Sequence, residues 1–326
     1  MSSAICTLFE GNYHYGLAGF TNSLHAAGFK GSLYAGYRGD LPYWAANSVE
    51  NAALRWDGGK TLQVTKDLQI HFMPIQTDYS LTNYKPDFML RLWEGPAADL
   101  DKMFYFDSDI VIVCSWLHFE EWASCGVAVS EDVNSPLAIN HPRRVAWRRY
   151  FGEKGIKLNF KEDIYVNGGF VGLTKENKPF LHTWQNIQET MAPIIGGLNQ
   201  SIFNQTTSLP SLLKTAGGPF RPFFTTDQDA LNAAVEACDL KISFIGKSGM
   251  GFENGNVLMR HAVGKLKPWG WKPFHQSWKG RPPRKVEIAF WNLMNGPIKV
   301  FSDKTVSRQK MAIKICSGIG RFYRKN

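Results

Sequence analysis

Apolar positions in the 326-residue chain fall into short runs separated by polar, glycine-bearing stretches, and the spacing within each run predicts its element. Residues 4–9 are a short, mostly apolar run closed by a polar turn at 10–12, which predicts a strand. From Gly16 onward, Leu17, Phe20, Leu24 and Ala27 recur at helical intervals, and Gly28 predicts the stop. Residues 31–37 predict a second strand, so the chain opens strand, loop, helix, strand, as a nucleotide-binding α/β unit does. Residues 40–60 read as a helix and loop. Leu68, Ile70 and Phe72 alternate with polar positions and predict a strand ending at Pro74, and a helix carrying Phe88, Met89, Leu92 and Trp93 is expected within 86–100. The run 103–106 has the unbroken apolarity of a central strand; Asp107-Ser108-Asp109 interrupts it, and it resumes over 110–113.

Further strands are expected at 126–129, within 164–173 and at 242–245. A surface helix and loop is expected over 140–160, and a helix over 227–238 with Asp227 as its N-cap. A glycine- and asparagine-rich loop, 246–256, leads to an apolar run at 257–261. Residues 279–284 read as a linker, which divides the chain into an α/β domain, 1–275, and a basic C-terminal extension, 276–326. Within the extension Met311, Ile315, Ile319 and Phe322 keep helical spacing beside Lys310, Lys314 and Arg321, so a helix is expected there. It either docks on the domain or lies on an anionic membrane surface.

Charge sharpens the choice of partner. The formal net charge is +9, and much of the excess sits in the tail at Lys304, Arg308, Lys310, Lys314, Arg321, Arg324 and Lys325 rather than around a recognition helix. The expected partners are therefore anionic small molecules or a lipid surface, not nucleic acid. The five cysteines are widely spaced with no CxxC pair, which argues against a zinc knuckle or a disulfide framework; Cys6 and Cys114 sit in apolar runs and are expected in the core. No signal core and no run of about 20 apolar residues is present, so a cytoplasmic location is expected, with peripheral contact at the membrane's cytoplasmic face as an extension of it. The sequons at Asn199 and Asn204 then carry no weight.

Four motifs carry chemistry. Two adjacent carboxylates inside an apolar run need compensation, and a divalent cation compensates both if the segment is extended and presents residues 107 and 109 on one face. Two solvated turn aspartates are the plainer reading of Asp107 and Asp109 alone. His261 offers a neutral nitrogen ligand that tilts the ion from Mg²⁺ toward Mn²⁺. Gly264 would let backbone approach a phosphate, and Lys267 would neutralise a departing diphosphate. Asn167-Gly168-Gly169 is either a hairpin turn or a turn that presents an amide to a sugar hydroxyl. Asp227-Gln228-Asp229, read alone, is an acidic helix start.

In combination and order, these motifs resemble glycosyltransferase family 8, which includes glycogenin and bacterial lipopolysaccharide galactosyl- and glucosyltransferases. The pattern His-x-x-Gly-x-x-Lys-Pro-Trp at 261–269 is complete, and the resemblance covers roughly residues 4–275. It implies an α/β GT-A fold, Rossmann-like, with a mixed central sheet flanked by helices, a UDP-sugar donor, usually Mn²⁺, and retention of anomeric configuration. By the same resemblance Asp107, Asp109 and His261 are metal ligands. Leu8, Phe9, Glu10 and Tyr13 hold uracil, with the Tyr13 ring on the base. Arg91 stands over the donor, Gly264 and Lys267 meet the diphosphate, Asn167, Asp227 and Gln228 line the transferred sugar, and Ser108 and Gly168 are among the nucleotide-sugar contacts. Asp227, Gln228 and Lys267 are the implied catalytic residues.

The expected activity is metal-dependent hexose transfer, glucose or galactose, from a UDP-sugar to a hydroxyl of a glycan, glycolipid or protein, in bacterial-type surface glycan or lipopolysaccharide synthesis. Trp271, Phe274, Trp278 and the 140–160 segment are the candidate acceptor surface. The competing classes are a nucleotidyltransferase, which would carry a Lys- or Arg-bearing glycine loop where residues 10–16 carry Glu10 and Tyr13, and a non-catalytic nucleotide-sugar binder.

Overall fold

A computed structural model of the protein describes residues 2–201 and 222–319. Its elements run β1 (Ser3–Glu10), α1 (His14–Ala26), β2 (Gly31–Arg38), β3 (Val49–Glu50), β4 (Lys60–Thr65), β5 (Leu68–Pro74), α2 (Lys85–Trp93), β6 (Lys102–Phe106), β7 (Ile110–Ile112), α3 (Leu117–Ala123), β8 (Val127–Ser130), α4 (Pro142–Gly152), β9 (Phe170–Thr174), α5 (Pro179–Ile195), α6 (Thr226–Ala237), β10 (Ile242–Ile245), β11 (Met259–His261), α7 (Pro273–Trp278), α8 (Lys285–Leu293) and α9 (Asp303–Ile319). The main sheet has the order β10-β8-β9-β6-β1-β2-β5-β4-β3, and β7 pairs with β11 in a separate ribbon. The central run β6-β1-β2-β5 is parallel, β9 lies antiparallel between β6 and β8, and β4 and β3 close the far edge antiparallel.

The central strands are apolar throughout because both faces of the sheet are covered. Alternation sends Ala4, Cys6, Leu8, Met103 and Tyr105 into a core with residues of α2, α4, α5 and α6, and sends Ile5, Phe9, Phe104 and Phe106 into a second core with α1, α3, α8 and α9. Each large apolar side chain buried in these cores contributes about 1.5–3 kcal/mol. The parallel strands β1 and β6 end on the same edge, so the loops after Glu10 and after Phe106 lie together, where open α/β sheets bind ligands.

Several expectations are revised. Residues 40–60 hold no α-helix: the stretch forms short turns and then β3 and β4, because 60–65 alternates and folds back onto β5 across Lys66-Asp67. Within 164–173 only the part from Phe170 is strand; the residues before it run past β8 with a single bridge, Glu131 to Val166. The N-cap of α6 is Thr225, and Asp227 sits in the first turn. The described part of the segment after 276 is packed into the sheet's second core: Phe290, Trp291, Met294, Ile298, Val300, Val306 and Ile313 share it with Leu17, Phe20 and Leu24. Asn22 of α1 locks that contact, donating to the carbonyls of Leu293 (3.1 Å) and Ile298 (3.0 Å) and accepting from the Ile298 amide (2.9 Å). All five cysteines are free; Cys6 is buried as expected and Cys114 is half-buried. Asn204, Arg321, Phe322, Arg324 and Lys325 lie outside the described residues, as does the side chain of Ile319.

Candidate active site

The site is built where β6 ends. Asp107, Ser108 and Asp109 form a turn, not an extended segment: the Ile110 amide donates to the Asp107 carbonyl at 3.1 Å, and the Asp107 amide donates to the Gly169 carbonyl at 2.8 Å. The two carboxylates converge through this turn rather than through strand alternation. His261 reaches them because β11 pairs antiparallel with β7, in a register that sets His261 opposite Ile110. Ligand atoms of Asp107, Asp109 and His261 all lie within 4.8 Å of one another, so the sequence trio is brought together. His261 Nε2 is 3.2 Å from Asp109 Oδ1 and 3.8 Å from Asp107 Oδ2. Two carboxylates and an imidazole, with Asp109 buried, are a donor set that fits a divalent ion.

Lys267 approaches from the loop after β11. Its ammonium donates to Asp109 Oδ2 at 2.5 Å and to the Ala262 carbonyl at 2.8 Å, and stands 5.7 Å from the centre of the Tyr13 ring. Burial pushes the Asp109 carboxyl up, but His261 and Lys267 outweigh it and hold the group well below the usual carboxylate range. Gly264 is exposed at φ +93°, a conformation that favours glycine, and nothing crowds it. Tyr13 is half-buried and meets Trp269 edge-on at 5.5 Å.

Lys85 was not anticipated from the sequence. It begins α2, is fully buried, and lies 3.2 Å from Asp107 Oδ1 and 3.3 Å from Asp227 Oδ2 while donating to the Gly168 carbonyl at 2.8 Å. Burial disfavours the ammonium, but Asp107 and Asp227 outweigh it and raise its pKa, so the lysine stays charged. The same burial raises the Asp227 carboxyl against the opposing pull of Lys85. Tyr105 adds a donor to Asp107 Oδ1 at 2.9 Å. The sequence held one signal for Lys85: a cation in the first turn of a helix opposes the helix dipole and asks for a reason. Arg91, expected over the donor, is exposed on α2 with its guanidinium 3.6 Å from the Trp56 ring centre.

The structure places the other expected contacts as follows. Leu8 and Phe9 bury their side chains on opposite faces of the sheet, which leaves only their backbone to meet a base. Glu10 is half-buried and pairs with Arg38 at 3.7 Å. Ser108 is buried, and its carbonyl faces Gly16 so closely that a Cβ there would sit 2.5 Å away. Gln228 Oε1 accepts from the Gly168 amide at 3.0 Å, which holds the glycine turn beside α6. Asn167, expected to offer its amide to a sugar, is buried, and its carbonyl oxygen lies 2.9 Å from the Gly169 amide and 3.0 Å from His261 Nδ1. Trp271, a candidate acceptor contact, is in the core, whereas Phe274 and Trp278 are exposed.

Asp229 has a structural assignment. Its carboxylate accepts from Tyr165 Oη at 2.7 Å and from the amides of Phe224 (2.6 Å) and Thr225 (2.8 Å), with Arg143 at 3.5 Å. Burial nevertheless pushes its pKa up to about 6. A folded pKa above the unfolded value means that the native state holds the extra proton between about pH 4 and 6, so this group lowers stability as pH rises through that window. Relative to the wild type, Asp229→Asn is expected to gain up to roughly 3 kcal/mol between those limits and nothing beyond them. Urea unfolding of both proteins across the window checks this; a pH-independent difference contradicts it.

No protein-family model and no curated protein sequence matches the chain. Solved structures do. The bifunctional glycosyltransferase WbbM in its apo form superposes with a TM-score of 0.51 at 13% identity, covering 95% of this chain and 52% of that one, so this chain spans about half of WbbM. An active-site mutant of LgtC superposes at 0.50 with 15% identity, covering 94% and 99%. The galactosyltransferase LgtC in complex with donor and acceptor sugar analogs gives 0.49 at 17% identity, covering 94% and 99%. The fold is that of GT-A glycosyltransferases such as these: a mixed α/β architecture with a mostly co-directional central sheet between helical layers.

Proposed function

We propose that the protein is a metal-dependent, retaining hexosyltransferase that uses a UDP-sugar and an acceptor hydroxyl in glycan synthesis of the lipopolysaccharide type. The observation that carries this is the convergence of Asp107, Asp109 and His261 at the end of central strand β6, with Lys267 beside them, on a fold shared with glycosyltransferases. Asp107, Asp109 and His261 would hold Mn²⁺, or Mg²⁺ as the alternative, and the bound ion supplies charge neutralisation for a diphosphate leaving group. Lys267 lies where its ammonium can turn from Asp109 to a phosphate oxygen, and exposed Gly264 lets the loop backbone close on the same group. Tyr13 presents a ring for uracil. Lys85 bridges Asp227 and Asp107 and holds both in place, so Asp227 can accept from sugar hydroxyls while Gln228 braces the Gly168 turn. The acceptor hydroxyl attacks from the face that the diphosphate leaves, and the leaving phosphate oxygen takes its proton.

UDP release from a panel of UDP-hexoses, with and without Mn²⁺, tests the reading. Metal-dependent release with a product of retained configuration is expected. An inverted product overturns the mechanism, and hexose 1-phosphate in place of UDP points to nucleotidyl transfer.

The proposal extends to location. Among the described residues no helix is long and apolar enough to cross a membrane. Helix α9 docks through Val306, Ile313 and Cys316 and turns outward a stripe of Lys304, Arg308, Met311 and Ile315, next to exposed Lys314. Helix α7, packed against α9, exposes Phe274 and Trp278. Exposed apolar groups set among cations suit an anionic lipid surface. Because the other face of α9 is core, the test is substitution rather than truncation. Met311→Glu with Ile315→Glu is expected to weaken sedimentation with anionic vesicles by about tenfold or more, since each buried apolar side chain is worth ~1.5–3 kcal/mol. Equal binding sinks the membrane reading.

A further inference from the structure

The reading of Asp107, Asp109 and His261 as an ion site leaves one question, namely what aims the imidazole. His261 has two ring nitrogens, and only one faces the carboxylates. The other, Nδ1, lies 3.0 Å from Asn167 Oδ1, across 94 residues of sequence. That amide cannot turn over. Its oxygen takes the Gly169 amide proton at 2.9 Å, and its nitrogen donates to Asp132 Oδ2 at 2.6 Å. A flipped amide would set a donor against a donor at Gly169 and an oxygen against a carboxylate at Asp132. Asp132 is itself fixed: it is buried, and its Oδ1 accepts from the Asn134 backbone amide at 2.9 Å and the Asn134 side chain at 2.6 Å.

With the amide so pinned, Nδ1 meets only an acceptor at 3.0 Å, nearer than Asp109 Oδ1 stands to Nε2 at 3.2 Å, and the proton of the neutral ring is assigned to Nδ1. A neutral imidazole then bears its lone pair on Nε2, toward Asp109 and Asp107. Gly169 completes the clamp: a Cβ there would meet His261 Cε1 at 2.6 Å, so the glycine leaves room for the ring in this one orientation.

We propose that Asn167, anchored by Asp132, is a positioning residue that sets the tautomer and ring orientation of His261, so that Nε2 is a ready-made nitrogen ligand before any ion arrives. The inference rests on the reading of the trio as an ion site, and it moves Asn167 from sugar contact to support of the histidine. Partners of this kind behind a histidine ligand typically change ion affinity by roughly 10- to 100-fold.

The test uses the full-length protein with ¹⁵N-labelled histidine at alkaline pH, His261 being assigned by its loss in His261→Gln. The ion-free wild type is expected to show the proton on Nδ1. Asn167→Leu is expected to move it to Nε2 and to weaken Mn²⁺ binding, read by paramagnetic resonance, about 10- to 100-fold. Exchanging the two groups, Asn167→Asp with Asp132→Asn, keeps one amide and one carboxylate in the pair and an acceptor at Nδ1. It is expected to restore affinity to within about threefold of wild type, an outcome that lost packing alone would not produce. A wild-type proton on Nε2, an Asn167→Leu protein that binds Mn²⁺ within twofold of wild type, or an exchange no better than the single variant overturns the proposal. A wild type that binds no Mn²⁺ is instead a failure of the ion reading, and the tautomers of ion-free wild type and Asn167→Leu still decide the inference. If Asn167→Leu does not fold, the wild-type tautomer and the exchange variant decide it.

Discussion

Asp109→Ala is expected to lower metal-dependent UDP release by roughly a thousandfold or more, equivalent to about 4 kcal/mol of lost transition-state stabilisation. Asp109 is the centre of the trio. Both of its oxygens are committed, one facing His261 Nε2 at 3.2 Å and the other Lys267 at 2.5 Å, and the carboxyl is held well below its ordinary pKa. Without it, the remaining ligands are an Asp107 already shared with Lys85 and Tyr105, and a single imidazole. Affinity for Mn²⁺ should fall with turnover, because the same oxygens serve both. Glu153→Ala, at an exposed position just after α4, is the control and should change neither. If Asp109→Ala keeps metal-dependent release within tenfold of wild type, the ion is held elsewhere.

Lys85→Met is expected to destabilise the fold by about 3–5 kcal/mol, the usual penalty for removing one partner of a buried ion pair. Lys85 is 1% exposed and bridges two carboxylates from distant parts of the chain. Its loss leaves Asp227 buried without its cation, in a setting where burial already raises that carboxyl's pKa. Turnover should fall as well, since Asp107 and Asp227 lose their common brace. The cycle with Asp227→Asn isolates the cause: the double variant should recover a good part of the lost stability, because a neutral amide at this position no longer needs a counter-charge. Urea unfolding of the four proteins measures this. A Lys85→Met protein within 1 kcal/mol of wild type, with no coupling to Asp227, would refute it.

These two residues also show what the sequence could and could not disclose. Asp109 was readable because two acids inside a run of buried apolar residues contradict their surroundings, and the spaced pattern from His261 to Trp269 supplied the third candidate ligand and Lys267. The central strands were readable for the same reason, since unbroken apolarity over 103–106 has few other uses. Lys85 was obscured because its meaning lies in Asp227, 142 residues away, and no local pattern encodes such a pair. The stacking of Arg91 on Trp56 was likewise hidden, because the two residues are brought together only by the fold. Helix α5 was legible in principle, with Phe180, Leu181, Trp184, Ile187 and Met191 on one stripe, Pro179 at its start and Gly196 at its end. The edge at 60–65 was less so: its half-exposed alternation is weak, and its strand identity depends on pairing with β5.

The lock between Asn22 and Ile298 spans 276 residues. While the chain is being synthesised, α1 therefore emerges with one flank bare, and the groups that cover it follow only after nearly the whole sheet has been made. The amino-terminal strand–helix–strand unit can form early but cannot become dry early. Until residues 285–301 leave the ribosome, the flank of α1 at Gly19 and the Asn22 amide faces solvent or a chaperone, a surface open to wrong contacts.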